Sequence, residues 1–397
     1  MTGASSQAPR AAPRLRVQVV AATLARVALT TAHRMVYPFL PAFSRGLGLP
    51  LESLTALLSL RGALGVVSPV FGGLPDRFGR RPALLAGLLV FSLGVALPAL
   101  FPGPIPFVLF VVLVAFGKFI YDPALQAYLG DRTPYARRGL VIAFSEMSWS
   151  AAALVGIPLA GLLIARSDWR APFLPLATLG LAAGAALWFI IPSDTPVSGQ
   201  PRAAGPSQRD AVWRNPVVLA VLAVAVLISL GNETLSVVYA AWLERSFGLT
   251  VAALGLSTTV IGLAELAGEG LVMTLADRLG KRRVIAMGLL ASAAAYSVLP
   301  LAGSQIELAL GGLFFVFIAF EFTVVACLPL MTELVPGARG RVMTANVAAF
   351  AGGRMLGDLV AGPVFHFGFL WIGLFSAATS LLALIILTFF IHEHAGA

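Results

Sequence analysis

Twelve long apolar runs separated by short polar segments dominate this sequence and limit what it can fold into. A helix that crosses a bilayer needs roughly 20 predominantly apolar residues, and the runs reach about that length. Charged residues make up only 11% of the 397 residues, which is too few to cover a soluble protein of this size. We therefore predict an all-α integral membrane protein with 12 transmembrane helices.

The runs are numbered here as spans 1 to 12, and a polar segment rich in Pro, Ser, Gly and Arg separates span 6 from span 7. Their predicted bounds are 17–43, 51–74, 82–101, 105–130, 139–165, 171–192, 216–244, 250–275, 284–302, 306–334, 341–364 and 367–391. The composition of the segment at 193–215 is typical of a flexible linker. The predicted domains are an N-terminal tail (1–16), a six-helix bundle (17–192), the linker, a second six-helix bundle (216–391) and a C-terminal tail (392–397).

Basic residues are distributed unequally between the two sides of the predicted membrane. The N-terminal tail and every second loop contain 18 Lys and Arg residues, whereas the other loops contain 4. Because basic loops are retained on the cytoplasmic side, we expect both termini and the linker to be cytoplasmic. The abundance of Ala, Gly, Leu and Arg favours a bacterial source, and hence the bacterial cytoplasmic (inner) membrane.

Two loop sequences recur at nearly the same distance along the chain. "LPDRFGRR" around Asp76 matches "LADRLGKR" around Asp277, 201 residues later. "DRTPYARRG" at 131–139 matches "ELVPGARGR" at 333–341, 202 residues later. The shared offset indicates a duplicated six-helix unit, which is typical of secondary transporters, and predicts two pseudo-symmetric bundles.

The first of these loops resembles the signature between helices 2 and 3 of the major facilitator superfamily, G-x-L-a-D-r-x-G-r-k. The matching residues are Gly72, Leu74, Asp76, Arg77, Gly79, Arg80 and Arg81, with Pro75 in place of a small residue. The second copy keeps Asp277, Arg278 and Gly280, and has Met273 in place of the first glycine. The resemblance implies a transporter that works by alternating access, with these loops as its cytoplasmic gate. The alternative is that the loop arginines serve membrane topology alone.

Twelve charged residues lie inside the predicted spans and away from their ends. They are the basic residues Arg26, Arg34, Arg61, Lys118 and Arg354 and the acidic residues Asp122, Glu146, Glu233, Glu265, Glu269, Glu321 and Asp358. An unpaired charge at the bilayer centre costs roughly 2.5–3.5 kcal/mol, so these side chains must face partners or a water-filled cavity. They are therefore candidates for a substrate or proton site.

Spacing divides these charges into pairs. Residues four apart lie on one helix face, so Lys118 is expected to pair with Asp122, and Arg354 with Asp358. Glu265 and Glu269 have the same spacing but the same sign. Because two neighbouring acids disfavour joint ionisation, this pair suits a proton site unless Arg354 neutralises it.

The resemblance also implies which spans line the central cavity, namely 1, 4, 7 and 10. We therefore predict a mixed-charge site at mid-membrane formed by Arg34, Lys118, Asp122, Glu233 and Glu321. The nearby aromatic residues Tyr37, Tyr121, Tyr239 and Trp242 are candidates for stacking on an aromatic or cationic substrate. Glu146 in span 5 is expected to face span 8, as a gate partner or a proton carrier.

The chain has neither the phosphate-binding motif of an ATPase nor a Cys/His cluster with metal-ligand spacing. We therefore predict no enzymatic activity, no cofactor and no metal site, with energy drawn from an ion gradient. The segment "GIPLAG" (156–161) loosely resembles the G-P-x-x-G-G motif of drug:proton antiporters. Together with the acids in the spans, it favours proton-coupled efflux of an amphipathic or cationic small molecule. We expect the protein to be a monomer that binds no nucleic acid.

Three alternatives stay open at this point. The first is uptake or facilitated transport of an anionic metabolite held by Arg34, Lys118 and Arg354. The second is a lipid or lysolipid flippase, and the third is a sensor that does not transport.

Replacing Asp76 with Asn tests the gate role of the first loop. We expect the variant to shift towards the inward-facing state with expression intact, because the loop loses the carboxylate that pairs with neighbouring helix ends. The measurement is the accessibility of cysteine reporters placed on the cytoplasmic side. Unchanged accessibility would leave the loop with a topological role alone.

Overall fold

The computed structural model describes residues 12–69, 78–192, 215–303, 305–333 and 339–391. The side chains of 12–14, 135–136, 139, 273, 276–279, 329, 332–333 and 339–340 are not among those described. Gly72, Asp76 and Arg77 therefore lie outside the described residues, and only the helical backbone is described for Asp277 and Arg278. All of the regular secondary structure in the described part of the chain is helical.

The helices of spans 1 to 6 follow the apolar runs, with interruptions in spans 1 and 5. Their bounds are Ala12–Arg34 and Val36–Leu47 in span 1, Leu51–Val67 in span 2, Arg80–Leu100 in span 3, Pro104–Arg132 in span 4, Tyr135–Glu146, Ser148–Ala151, the π-helix Ala152–Gly156 and Ile157–Arg166 in span 5, and Phe173–Ile190 in span 6. Span 1 is interrupted at Met35, because Pro38 has no N–H to donate to the carbonyl of Arg34.

The helices of spans 7 to 12 are continuous over longer stretches. Their bounds are Pro216–Phe247 in span 7, Val251–Leu279 in span 8, Lys281–Val298 with the 3-10 turn Leu299–Ala302 in span 9, Ile306–Glu333 in span 10, Arg339–His366 in span 11 and Phe369–Phe390 in span 12. Spans 7 and 8 begin with side-chain caps, in which Asn215 accepts from the Val217 N–H and Thr250 from the Ala253 N–H.

Ten helices within the described residues are long and apolar enough to cross a membrane. The two predicted spans outside this set are span 2, whose helix is described over 17 residues, and span 11, which contains Arg339, Arg341, Arg354 and Asp358. These two helices pack against each other through Ala351, Met355 and Gly362 of span 11. The fold is the predicted one, with 12 helices in two bundles.

The internal repeat is visible in the turns. Gly48 and Gly248 end the helices of spans 1 and 7 with φ of 65° and 66°, and Gly79 and Gly280 precede spans 3 and 9 with φ of 95° and 83°. Such positive φ values favour glycine because it has no Cβ. The backbone conformation of the turn therefore explains why both copies of the loop motif have glycine at this position, as Gly79 and Gly280.

The arginines that follow these turns also make equivalent contacts in the two halves. Arg81 donates to the carbonyl of Trp188 in span 6, and Arg282 donates to the carbonyl of Thr388 in span 12 at 2.7 Å. Arg80 pairs with Asp131 at the end of span 4 at 3.0 Å. Within the described residues, Arg80 and Arg81 thus tie span 3 to its own bundle, and the gate role of the loop stays a prediction.

Two seams join the bundles, one between spans 2 and 11 and one between spans 5 and 8. Both rely on small residues. A Cβ added to Gly62 would lie 2.7 Å from the backbone of Met355, and one added to Gly161 would lie 3.2 Å from the Cα of Gly255. Glycine lets helix backbones approach closely inside a membrane.

Two polar contacts between the bundles lie on the side of the membrane opposite the linker. Arg45 at the end of span 1 pairs with Glu244 of span 7 at 2.9 Å. His366 at the end of span 11 lies 3.4 Å from Glu52 of span 2. The bundles are thus held together on this side.

Replacing Gly353 of span 11 with Ala tests how tightly the second bundle is packed. The added Cβ would lie 2.4 Å from the carbonyl oxygen of Val226 in span 7. We expect overpacking to lower the free energy of unfolding by about 1–3 kcal/mol, measured as a fall in Tm in detergent. Gly311→Ala is the matched control, because nothing lies within 4 Å of its added Cβ and Ala favours helix. Equal shifts in the two variants would contradict the described packing.

Candidate functional site

The charged residues of the spans gather into three clusters near the interface between the bundles. The Asp122 cluster consists of Arg26, Lys118, Asp122 and Glu146; the Glu233 cluster of Tyr37, Arg61, Glu233, Arg354 and Asp358; and the Glu265 cluster of Arg34, Glu265, Glu269 and Glu321. Spans 1, 2, 4, 5, 7, 8, 10 and 11 all contribute.

The Asp122 cluster lies within the first bundle and is balanced in charge. Arg26 donates to Asp122 at 2.9 Å and lies 2.8 Å from Glu146, while Lys118 lies 2.9 Å from Asp122. The pairing of Lys118 with Asp122 expected from their spacing is confirmed. Arg26 also donates to the carbonyl of Ser145 at 3.0 Å, so its buried guanidinium joins spans 1, 4 and 5.

Glu146, which was expected to face span 8, pairs within its own bundle and also lies near Glu269 of span 8. Its carboxylate pairs with Arg26 of its own bundle and accepts a hydrogen bond from Gln126 at 3.4 Å. The physical reason is the proximity of a buried arginine, whose charge needs carboxylates within reach.

The Glu265 cluster connects the two bundles. Arg34 of span 1 donates to both carboxylate oxygens of Glu265 in span 8, at 2.9 and 2.6 Å. Such bidentate pairs are strong and directional. Arg34 also donates to the carbonyl of Trp149 at 3.2 Å, and both Arg34 and Lys118 lie over the Trp149 ring, at 5.3 and 4.7 Å from its centroid.

Two further acids of this cluster have no counter-ion. Glu269 lies one turn from Glu265, and Glu321 of span 10 packs on span 8, since a Cβ on Gly268 would lie 2.9 Å from the Glu321 Cβ. Neither carboxyl group has an ion pair or hydrogen bond within the described part of the chain. The cluster therefore sets three carboxyl groups beside one arginine that pairs with Glu265, and Arg354, the counter-ion considered from the sequence, lies by Glu233 instead.

The Glu233 cluster also connects the bundles. The Tyr37 hydroxyl donates to Glu233 Oε1 at 2.6 Å, and Arg61 donates to that hydroxyl at 2.6 Å and to the same carboxylate oxygen at 3.2 Å. Arg61 also donates to the carbonyl of His33 at 3.0 Å. Arg61 and Glu233 are both buried, so this ion pair is formed away from water.

The expected pairing of Arg354 with Asp358 is wrong. Arg354 Nε lies 3.7 Å from Glu233 Oε2, and Asp358 is fully buried with no hydrogen-bond partner for either carboxyl oxygen among the described residues. Span 11 packs tightly on span 7 through Gly353 and Gly357, and this packing places Glu233 beside both residues.

The remaining aromatic candidates take part mainly in helix packing. Tyr121 is buried and donates to the carbonyl of Ala22 at 2.8 Å. Trp242 stacks on Phe369 with a centroid distance of 3.9 Å. Tyr239 is buried near Arg34 and Glu265.

The family model of the Major Facilitator Superfamily matches residues 22–231 and 221–396, which together cover nearly the whole chain. The chain belongs to the Major Facilitator Superfamily. It is a transporter of this superfamily and not an enzyme, as predicted.

Curated relatives and a solved structure agree with this membership. The chain is 25% identical to an uncharacterized MFS-type transporter, YwfA of Bacillus subtilis, over 93% of this chain and 91% of the relative. It is 22% identical to multidrug resistance protein 2 of the same organism, over 85% and 87% of the two chains. The fold matches that of a D-xylose–proton symporter with a TM-score of 0.78 and 18% identity, covering 96% of this chain and 99% of that one.

From the sequence, Arg26 and Arg61 were candidates without an assigned partner, and Trp149 was not a candidate. The sequence showed Arg26 and Arg61 as charges within spans. Because acids outnumber basic residues among these charges, each arginine could have been expected to pair with an acid on another span. Trp149 lies three residues after Glu146 in span 5, but no sequence signal showed that its ring would contact Arg34 and Lys118.

Replacing Arg26 with Ala tests the Asp122 cluster of the transporter. We expect a loss of about 3–5 kcal/mol in the free energy of unfolding, because Asp122 and Glu146 lose their shared partner inside the membrane. The measurement is thermal unfolding in detergent. Arg170→Ala is the control, since Arg170 pairs with Asp168 in an exposed loop and such pairs contribute about 0–1 kcal/mol. A loss for Arg26→Ala no larger than that of the control would contradict the structural role.

Proposed function

We propose that this transporter exports a cationic or amphipathic small molecule in exchange for protons. Its two bundles alternate access to a site at mid-membrane, in the bacterial cytoplasmic membrane, with both termini in the cytoplasm and the chain acting as a monomer. No cofactor takes part, and the proton gradient supplies the energy.

The observation that carries the proposal is the surplus of acid in the Glu265 cluster. Three carboxyl groups share one arginine among the described residues, and Glu269 and Glu321 are left for another cation. A charge in the membrane needs a partner, so a proton or a cationic substrate is the complementary ligand. Binding of the cationic substrate to these carboxylates supplies one half of the exchange, and the proton bound by acids within the spans supplies the other.

The interface charges support the same proposal. Among the twelve charges that lie away from the span ends, the first bundle contributes four basic and two acidic residues, whereas the second contributes five acidic residues and Arg354. The opposed charges form the ion pairs Arg34–Glu265 and Arg61–Glu233 between the bundles. Neutralising either carboxylate weakens the attraction between the bundles. A proton or a cation that binds there therefore lowers the stability of the state in which these ion pairs are formed, and so shifts the equilibrium between conformations.

The alternative of anion transport has less support from the contacts. Lys118 and Arg34 both contact carboxylates at or below 2.9 Å, so their charges are already neutralised by this chain. Multidrug resistance protein 2 carries a name that fits export of diverse compounds, and its similarity to this chain favours the cationic or amphipathic substrate.

The test is internal pH in proteoliposomes with an imposed proton gradient. Ethidium, tetraphenylphosphonium, benzoate and lysophosphatidylcholine are added separately, and we expect the two organic cations alone to evoke a proton flux. Glu321→Gln should weaken the apparent affinity for the cation about tenfold, which corresponds to about 1.4 kcal/mol. Glu307→Gln is the control, because Glu307 is exposed at the start of the same helix.

Three outcomes contradict the proposal. A flux evoked by benzoate would indicate an anion carrier, and movement of labelled lysophosphatidylcholine without a flux would indicate a flippase. A cation-evoked flux that Glu321→Gln leaves unchanged would remove the Glu265 cluster from the site.

A further inference from the structure

We infer that Glu233 and Asp358 share one proton, and that this carboxyl pair is the site of the coupling proton. The inference rests on the proposed proton-coupled transport and assigns the proton to two residues within it. It is carried by the contacts of the Glu233 cluster, which lies apart from the acids of the Glu265 cluster.

The first step is the burial of Asp358. Its side chain has no accessible surface, and among the described residues no donor contacts either carboxyl oxygen. An ionised carboxylate in such a place lacks both water and hydrogen bonds, which makes it costly. A protonated carboxyl removes this cost and turns one of the oxygens into a donor.

The second step is the acceptor for that proton. The side chain of Glu233 packs against the segment of span 11 that carries Asp358, since a Cβ on the preceding residue, Gly357, would lie 2.7 Å from the Glu233 Cβ. Two ionised carboxylates only accept hydrogen bonds, so a bond between them requires a proton on one of the two. One shared proton therefore satisfies Asp358 and leaves a single negative charge on the pair, as in other carboxyl pairs that cannot both ionise.

The third step is the packing that keeps the carboxyl groups together. Gly353 and Gly357 of span 11 lie directly against span 7, and a Cβ on Gly357 would lie 2.7 Å from the Cβ of Glu233. Small residues spaced four apart allow such close contact between membrane helices. The two acids are thus forced together by backbone packing and not by a loop that could relax.

The charged and titratable neighbours define what happens when the proton leaves. They are Tyr37 and His33 of span 1, Arg61 of span 2 and Arg354 of span 11. Tyr37 and Arg61 hold Glu233 Oε1, while Arg354 is 3.7 Å from Oε2 and is partly exposed.

Deprotonation then has a defined structural consequence. The O–H bond of the pair breaks, the proton passes to solvent on the side where Arg354 is partly exposed, and the new carboxylate attracts Arg354, its neighbour four residues away on the same helix. The Arg354–Asp358 ion pair therefore belongs to the deprotonated transporter. When it forms, Arg354 moves away from Glu233, and Glu233 is left with Arg61 of span 2 and Tyr37 of span 1.

Infrared difference spectroscopy of the purified full-length transporter tests the shared proton without any substrate. We expect a carbonyl-stretch band of a protonated carboxyl that disappears as pH rises. Asp358→Asn should remove this band, and Glu233→Gln should shift its frequency, because the buried Asp358 carboxyl then loses the carboxylate that accepts its hydrogen bond. Glu307→Gln is the control and should keep it. Thermal unfolding of each variant establishes that it is folded, and Asp358→Glu, which retains the carboxyl, should retain a band.

A band that survives in Asp358→Asn, or one that Glu233→Gln leaves at the same frequency, would overturn the shared proton. In proteoliposomes, both variants should also lose ethidium and tetraphenylphosphonium movement driven by the proton gradient. Variants that keep gradient-driven movement would overturn the coupling role while leaving the proposed function intact. No proton flux in the unaltered protein with any compound would instead overturn the proposed function itself.

Discussion

The cost of placing charge in a membrane is the constraint on which the rest of this structure depends. Because the bilayer offers no water, each charged side chain in the spans has to find a partner on another helix or face a wet cavity. Arg26 joins three spans of the first bundle, and Arg34 and Arg61 reach across to acids of the second. The positions of the helices and the positions of the charges therefore determine one another.

The two halves share a backbone plan but have diverged in chemistry. Positive-φ glycines and the arginine contacts to spans 6 and 12 recur about 200 residues apart. The membrane charges do not recur, since the first bundle presents mostly basic residues and the second mostly acidic ones. The duplication thus supplies symmetric scaffolds, whereas the opposed charges supply the attraction that holds the halves together near Glu233 and Glu265.

The fold could be predicted from the sequence, because span length, loop charge and repeat offset are local properties that the chain displays directly. Pairing within one helix was predictable for Lys118 and Asp122, which lie one turn apart. The same rule failed for Arg354 and Asp358, because Gly353 and Gly357 bring Glu233 of another helix into contact with both. Contacts such as Arg34 with Glu265 join residues 231 positions apart, and no periodicity within a helix encodes them.

The π-helix in span 5 has a consequence for which way that span faces. Glu146, before the π-helix, is directed to Arg26 of its own bundle, whereas Gly161, after it, touches Gly255 of the other. A helix turns by about 100° with each residue, so a single additional residue rotates everything beyond it by that amount. The half of the span before the π-helix can then contact the interior of its own bundle, while the half after it packs in the seam against span 8. Deleting one residue of the π-helix would rotate one of these surfaces away from its partner, although every residue that makes the contacts would be unchanged.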